Sequence, residues 1–414
     1  VNKLHPDSLA GFAGHDPADS LGAVKTPIYQ SSTYVFESAA QMKALFAYKN
    51  GQTGWPADLA EPMAYGRWNH PGLQTLEARL KVWDGGEDAL VFSSGMAALS
   101  AAWMSQLRPG DVIMYSVPLY GGSLSFIQKQ LSAFGIIAFP FEVNETADTL
   151  LKRLQSDGLT DKVKVIHVES PCNPHNLVFD FEVVSTLKKL LGKAQKSPII
   201  TFDNTYFGPI FQQPLQFGAD LVIYSATKFI GGHSDVIAGA CVGSEKLIAE
   251  IRNWRSQLGT TAEPFSCFLL LRSLETLRIR MEKAAENASK LAHFLNKHPK
   301  ISQVHYPEIN SQESAQYKLY KKYCNGPGSM ISFDIDSDEA GAFRFLDALQ
   351  LIRLAVSLGG TESLCTHPAT TSHAPMTAAE KAHYGIGPAM IRFSVGLEEV
   401  NDLKNDLAQA LEAV

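Results

Sequence analysis

Cysteine is scarce in this 414-residue chain, and the five present (Cys172, Cys241, Cys267, Cys324 and Cys365) show no CxxC spacing. An odd, scattered set reads as free thiols in a reducing compartment, not as a disulfide framework. Charge of one sign is also lacking: the formal net charge is −6 with no basic run, which argues against nucleic acid as a partner. No long apolar stretch appears. The run at 88–107 is broken by Ser, Gly and Gln, too polar for a membrane span, and residues 1–19 are mixed and polar. Histidines 367 and 373 fit neither a helical nor a zinc-finger spacing, so no metal site is expected. Internal repeats and low-complexity tracts are missing as well. A cytoplasmic location is expected.

Hydrophobic residues make up 45% of the chain and charged ones 19%, enough for a large core. Residues 1–64, rich in Gly, Pro, Ser and Ala with weak periodicity, read as an extended arm. Such a segment has little core of its own and is expected to pack on another subunit. From 65 to 265 the pattern is that of an α/β domain. Short β-branched runs at 89–92, 112–115, 136–141, 163–168, 199–202, 221–224 and 238–242 alternate with helix-like segments such as 73–82. These predict a mostly parallel, seven-stranded sheet sandwiched by helices. Residues 266–414 read as a smaller α+β domain. It opens with a helical stretch at 266–295, followed by strands at 330–334, 351–356 and 390–395, a helix at 339–349 and a closing helix.

In parallel sheets ligands sit beyond the C-terminal ends of the strands. Three such ends carry chemistry. After 89–92 comes Ser93-Ser94-Gly95-Met96, a small-residue turn opening an Ala-rich helix, where free N–H groups and the helix dipole suit a phosphate. After 199–202 comes Asp203, which can pair with a protonated ring nitrogen. After 221–224 come Ser225 and Thr227, which offer hydroxyls, and Lys228, an amine made nucleophilic if burial lowers its pKa. Taken singly, each has a plainer reading: a ligand-free turn, a helix cap, a surface lysine. Together they match pyridoxal 5′-phosphate (PLP), which needs an aldehyde partner, a ring-nitrogen partner and a phosphate site. No G-x-G-x-x-G follows the first strand and no G-x-x-x-x-G-K-[ST] occurs, which removes the nicotinamide and P-loop alternatives.

With Y-G-R at 65–67, L-V-F-S-S-G-M-A-A at 90–98, P-L-Y-G-G at 118–122 and E-S-P-C-N-P at 169–174, the chain resembles the transsulfuration (cystathionine γ-synthase-like) family of fold-type I PLP enzymes. D-N-T at 203–205, S-A-T-K-F-I-G-G-H-S-D at 225–235, S-L-G-G-T-E-S-L at 357–364 and I-R-F-S-V-G-L-E at 391–398 continue the series. The resemblance implies roles at the matching positions. Lys228 is the Schiff-base lysine and the base at Cα, Asp203 holds the ring nitrogen protonated, and Gly95, Met96, Ser225 and Thr227 hold the phosphate. Tyr120 stacks on the ring and acts as acid or base near the leaving group. Asn173 bonds the ring hydroxyl, and Arg392 with Ser357 clamps the substrate carboxylate. Tyr65 and Arg67 reach the neighbouring subunit's phosphate, so a homodimer is the minimal active unit and a homotetramer is expected.

Departures narrow the reaction. Methionine γ-lyases typically carry cysteine where this chain has Gly122, and the substrate-side Lys-Asp pair of those enzymes aligns with Arg255 and Ser256. A longer loop, 48–62, lies near the substrate entrance. Several β-lyases read S-W-G-G where this chain reads Ser357-Leu358-Gly359-Gly360, which tilts the expectation toward γ-carbon chemistry, with Glu362 a candidate specificity residue. The expected activity is α,γ-elimination on methionine-, cystathionine- or homocysteine-type substrates. The alternatives are γ-replacement (cystathionine γ-synthase or O-acylhomoserine sulfhydrylase), a cystathionine β-lyase, or a catalytically silent PLP-binding protein.

Overall fold

The computed structural model describes residues 4–56, 61–192 and 197–414; residues 57–60 of the 48–62 loop lie outside this set. A first sheet holds β1 (Asp88–Phe92), β2 (Val112–Val117), β3 (Ile137–Glu142), β4 (Val163–Glu169), β5 (Ile199–Asp203), β6 (Leu221–Tyr224) and β7 (Gly239–Gly243). Their order is β1-β7-β6-β5-β4-β2-β3, and only β7 is antiparallel to its neighbours. All seven runs read from the sequence form these strands, with small shifts at the ends. Their apolar character has a simple cause: both faces are covered. Leu90 and Phe92 pack in one cluster with Ala98, Ala102 and Trp103 of helix Gly95–Gln106, whereas Ala89 and Val91 pack on the opposite side with Leu76 and Leu80 of helix Pro71–Asp84. Alternation along the strand sends successive side chains to opposite faces, so a strand buried on both must be apolar throughout.

Because β1, β4, β5 and β6 all run the same way, their C-terminal ends meet at one sheet edge. That edge carries Ser94, Glu169, Asp203 and Ser225.

A second sheet contains β8 (Ile301–His305), β9 (Met330–Ile335), β10 (Arg353–Leu354), β11 (Leu364–Thr366) and β12 (Met390–Ser394), in the order β10-β11-β12-β9-β8. Helices Leu277–Leu295 and Val400–Leu411 cover it, packing Leu291, Leu403 and Leu407 against Ile331, Phe333 and Phe393. This is the smaller α+β unit expected.

Several details differ from the sequence reading. The run 351–356 yields only the two-residue β10, because the chain then peels away and Ser357 adopts a φ of +89°. The helical stretch 266–295 is two helices, Pro264–Leu274 and Leu277–Leu295, with Thr276 at φ −115° and ψ 11° breaking the path between them. The segment read as an extended arm holds helix Ala39–Lys49, capped by Ser38 Oγ, which accepts from the Gln41 N–H at 3.1 Å. Ala, Leu, Met and Lys favour helix locally, and the glycines and prolines on either side mask that preference in the segment average. Among the described residues no helix is long and apolar enough to cross a membrane.

Candidate active site

The sheet edge gathers free N–H and hydroxyl groups of the kind that suit an anion. Ser94 Oγ caps helix Gly95–Gln106 by accepting from Ala97 N–H at 3.1 Å, which leaves the N–H groups of Gly95 and Met96 without intrahelical partners. A Cβ on Gly95 would meet the Ser225 Cβ at 2.9 Å, so only glycine lets the two turns close on one another. Ser225 is fixed in turn by its N–H, which donates to Thr205 Oγ1 at 2.9 Å. Thr227 uses its hydroxyl differently: it donates to Ala238 O at 3.1 Å and accepts from Ala238 N–H at 3.0 Å.

Beside this edge lies a cavity of about 600 Å³. Gly95, Met96, Tyr120, Asn173, Asp203, Ser225, Thr227, Lys228, Ser357 and Arg392, all named from the sequence, line it. Lys228 Nζ donates to Ser357 Oγ at 2.6 Å. Burial, and secondarily the positive charge of Arg392, push the Lys228 ammonium down to about 8 from 10.5. Arg392 comes from β12 of the other sheet and is nearly sealed. Its Nη1 donates to Asn173 Oδ1 at 3.3 Å and its Nη2 to Ser357 O at 3.1 Å.

Two buried carboxylates face one another across the β4–β5 register, Glu169 opposite Asp203. Burial raises both, and Asp203 adds to the rise at Glu169, which reaches about 8. Glu169 escaped the sequence reading. It accepts from the backbone N–H of Tyr120 at 2.9 Å and of Asn173 at 3.1 Å, and so holds two lining residues in place. Its place at the head of E-S-P-C-N-P, just beyond a strand, was the available signal. Tyr120 itself is half exposed, and its ring lies where a Cβ on Gly122 would come within 2.6 Å of its Cε1.

Comparison with known proteins places this geometry. The family of Cys/Met metabolism PLP-dependent enzymes matches residues 9–412. The chain belongs to that family. It is 38% identical to the L-methionine gamma-lyase of Pseudomonas putida over 415 residues, covering 98% of each chain. It is 36% identical to the cystathionine beta-lyase of Coxiella burnetii over 411 residues, covering 99% of this chain and 98% of the other. The cystathionine gamma synthase structure from Xanthomonas oryzae superposes with a TM-score of 0.86 at 32% identity, covering 99% of this chain and 98% of that one. The fold is therefore that of the fold-type I PLP enzymes, and the cofactor is PLP.

The residues present fit a PLP enzyme of this family. Gly95, Met96 and Ser225 offer donors to the phosphate, and Lys228 offers an amine of lowered pKa. Asp203 and Glu169 make a buried acidic pair whose shared negative charge calls for a cation, and a protonated ring nitrogen supplies one. Three of the expected site residues lie outside the cavity lining. Tyr65 is partly exposed, and the Arg67 guanidinium sits 5.5 Å from its ring centroid and donates to Ser256 O. Glu362 accepts a hydrogen bond from Ser234 Oγ, tying the loop after Lys228 to the loop after Ser357. The alignment of Arg255 with a substrate-side residue needs correction. Arg255 is fully buried under β1, where it pairs with Glu77 and donates to Val91 O at 2.8 Å, so it has no route to a substrate.

Proposed function

We propose that this PLP-dependent transsulfuration enzyme is a carbon–sulfur lyase performing α,γ-elimination on methionine-, cystathionine- or homocysteine-type substrates. The observation that carries the reading is the convergence of Lys228, Ser357, Arg392 and Tyr120 on one cavity whose wall next to Ser357 is Leu358. Leucine there leaves more room beyond the substrate's Cβ than a tryptophan would.

Bound PLP supplies an aldehyde for amines and a ring that accepts electrons. The chain supplies the rest. Arg392, braced by Asn173 and the Ser357 carbonyl, takes the substrate carboxylate. Lys228 Nζ removes the proton from Cα and then one from Cβ, which leaves the electron pair that expels the sulfur from Cγ, and its lowered pKa suits it to carry protons near neutral pH. Asp203 keeps a proton on the ring nitrogen. Tyr120, at the half-open side of the cavity, donates a proton to the departing thiolate. The sum is substrate plus water giving a thiol, a 2-oxo acid and ammonia.

The active unit is a homodimer within a homotetramer, with Tyr65 and Arg67 contributing to the partner's site. Supporting this are the surface position of both residues and the large apolar side chains left exposed on the N-terminal segment, among them Leu21, Val24 and Val35. Five free cysteines agree with a cytoplasmic location.

A substrate panel with product identification tests the assignment. Methionine, homocysteine and cystathionine should each yield 2-oxobutyrate, and Lys228→Ala should abolish this. Pyruvate as the main product from cystathionine would replace the reading with β-elimination. Condensation of O-acylhomoserine with cysteine as the dominant reaction would replace it with γ-replacement.

A further inference from the structure

A second cavity, of about 290 Å³, shares no residue with the lining of the first. Lys25 and Thr26 of the N-terminal segment form one wall, Arg79 of helix Pro71–Asp84 another, and Arg272 and Glu275 a third, over an apolar floor. Three cations thus meet one carboxylate among the described residues. Glu275 pairs with Lys25 at 2.5 Å and with Arg79 Nη1 at 3.4 Å.

Arg79 is the informative member. Its side chain is 1% exposed. Its Nε donates to Ala13 O at 3.2 Å, yet its Nη2 is buried with no partner among the described residues. Thr26 Oγ1, in the same wall, is likewise buried and unpartnered. A guanidinium N–H and a hydroxyl both left without an acceptor are costly in a folded interior. An anionic oxygen would give the guanidinium N–H an acceptor and balance the excess of cations.

We propose that this cavity binds a small oxyanion of carboxylate or phosphate type, held by Arg79, Thr26, Lys25 and Arg272, with Glu275 as an internal competitor. Glu275 occupies Lys25 and part of Arg79, so an anion entering the cavity shares those cations with it, which sets the affinity low.

The test uses the full chain loaded with PLP, in which the phosphate cradle of the first cavity is already filled. Inorganic phosphate and acetate are titrated calorimetrically against chloride at constant ionic strength. At least one should bind saturably, and which one does assigns phosphate or carboxylate chemistry. Arg272→Gln and Lys25→Gln should each weaken that binding by about tenfold, the weight of one charge-assisted hydrogen bond. Glu275→Gln should strengthen it, because it removes the competing charge. Cofactor content and turnover should stay at the parent level in all three, which shows that the variants fold. Absence of saturable binding, affinities indifferent to Arg272→Gln and Lys25→Gln, or weaker binding in Glu275→Gln would each overturn the assignment.

Discussion

Lys228 Nζ bonds Ser357 Oγ at 2.6 Å although 129 residues separate the two in the chain. The lysine follows β6 of the first sheet and the serine precedes β11 of the second, so one hydrogen bond joins the two sheets across the cavity. Residue 357 does more than accept that bond. Its carbonyl accepts from Arg392 at 3.1 Å, and its backbone sits at φ +89°, a region that disfavours any residue with a Cβ. The strain is localised where one residue must aim both an amine and a guanidinium.

Replacing Ser357 separates the strain from the hydroxyl. Ser357→Ala keeps the backbone problem and removes Oγ, and should lower kcat about tenfold with cofactor content unchanged, as expected for one hydrogen bond to a charged group. Ser357→Gly removes the strain as well, so it should melt higher than the alanine variant yet turn over no faster. Steady-state kinetics and thermal melts on both variants decide the matter. Parent-level turnover in the glycine variant would show that the hydroxyl has no part in catalysis.

Lys228 sets a pH dependence of cofactor loading. The neutral amine is the form that attacks an aldehyde, and burial with the Arg392 charge lowers its pKa to about 8. The rate of PLP uptake by apoenzyme should therefore climb with pH and level off above about 8, well short of the range of a solvated lysine. Arg392→Gln removes a like charge, so the ammonium is held longer and the midpoint must move to higher pH. Stopped-flow absorbance across the pH range reads both. An uptake midpoint at the ordinary lysine value in the parent protein would contradict the lowered pKa.

The seven strands of the first sheet were legible because burial on both faces forces an apolar run, and the site residues just after β1, β5 and β6 were legible because parallel strands gather their C-terminal ends. Elements that violate those conditions were missed. Ser302 and Gln303 are exposed within β8, so that strand shows no run, and β11 is only three residues long. Arg392 arrives from a different sheet and could be found only through the motif that contains it. Glu169 was overlooked for a different reason: a carboxylate that binds backbone N–H groups leaves no partner pattern in the sequence.

Gly122 is a positioning element for Tyr120. A Cβ there would lie 2.6 Å from Cε1 and 3.1 Å from Cζ of the tyrosine ring, so Gly122→Ala must swing the ring. The half-exposed tyrosine has room to move, and alanine favours the short helix Gly121–Ser125, so the variant should fold with unchanged or higher thermal stability. Its kcat should fall about tenfold or more, because a displaced acid no longer meets the leaving group. Kinetics with the preferred substrate check this, and an unaltered kcat would mean that Tyr120 does not transfer the proton.

Asp84 gives a prediction for stability that is independent of turnover. It ends helix Pro71–Asp84, is almost fully buried, and accepts from Tyr224 Oη at 2.6 Å, while that oxygen accepts from Asn204 Nδ2 at 3.0 Å. Burial raises its carboxyl to about 7, against 3.8 as the ordinary value, with the Tyr224 bond offsetting part of the rise. Between those two values the unfolded chain releases a proton that the folded protein keeps. The stability Asp84 contributes is thus fully present below about 3.8 and is lost as pH rises through 7. Asp84→Asn keeps an acceptor for Tyr224 and has nothing to ionise. Its melting temperature relative to the parent should rise between about pH 4 and pH 7 and change little above that. A variant less stable than the parent by the same margin at every pH would show that Asp84 is ionised in the folded protein, with the Tyr224 hydroxyl sufficient to hold its charge.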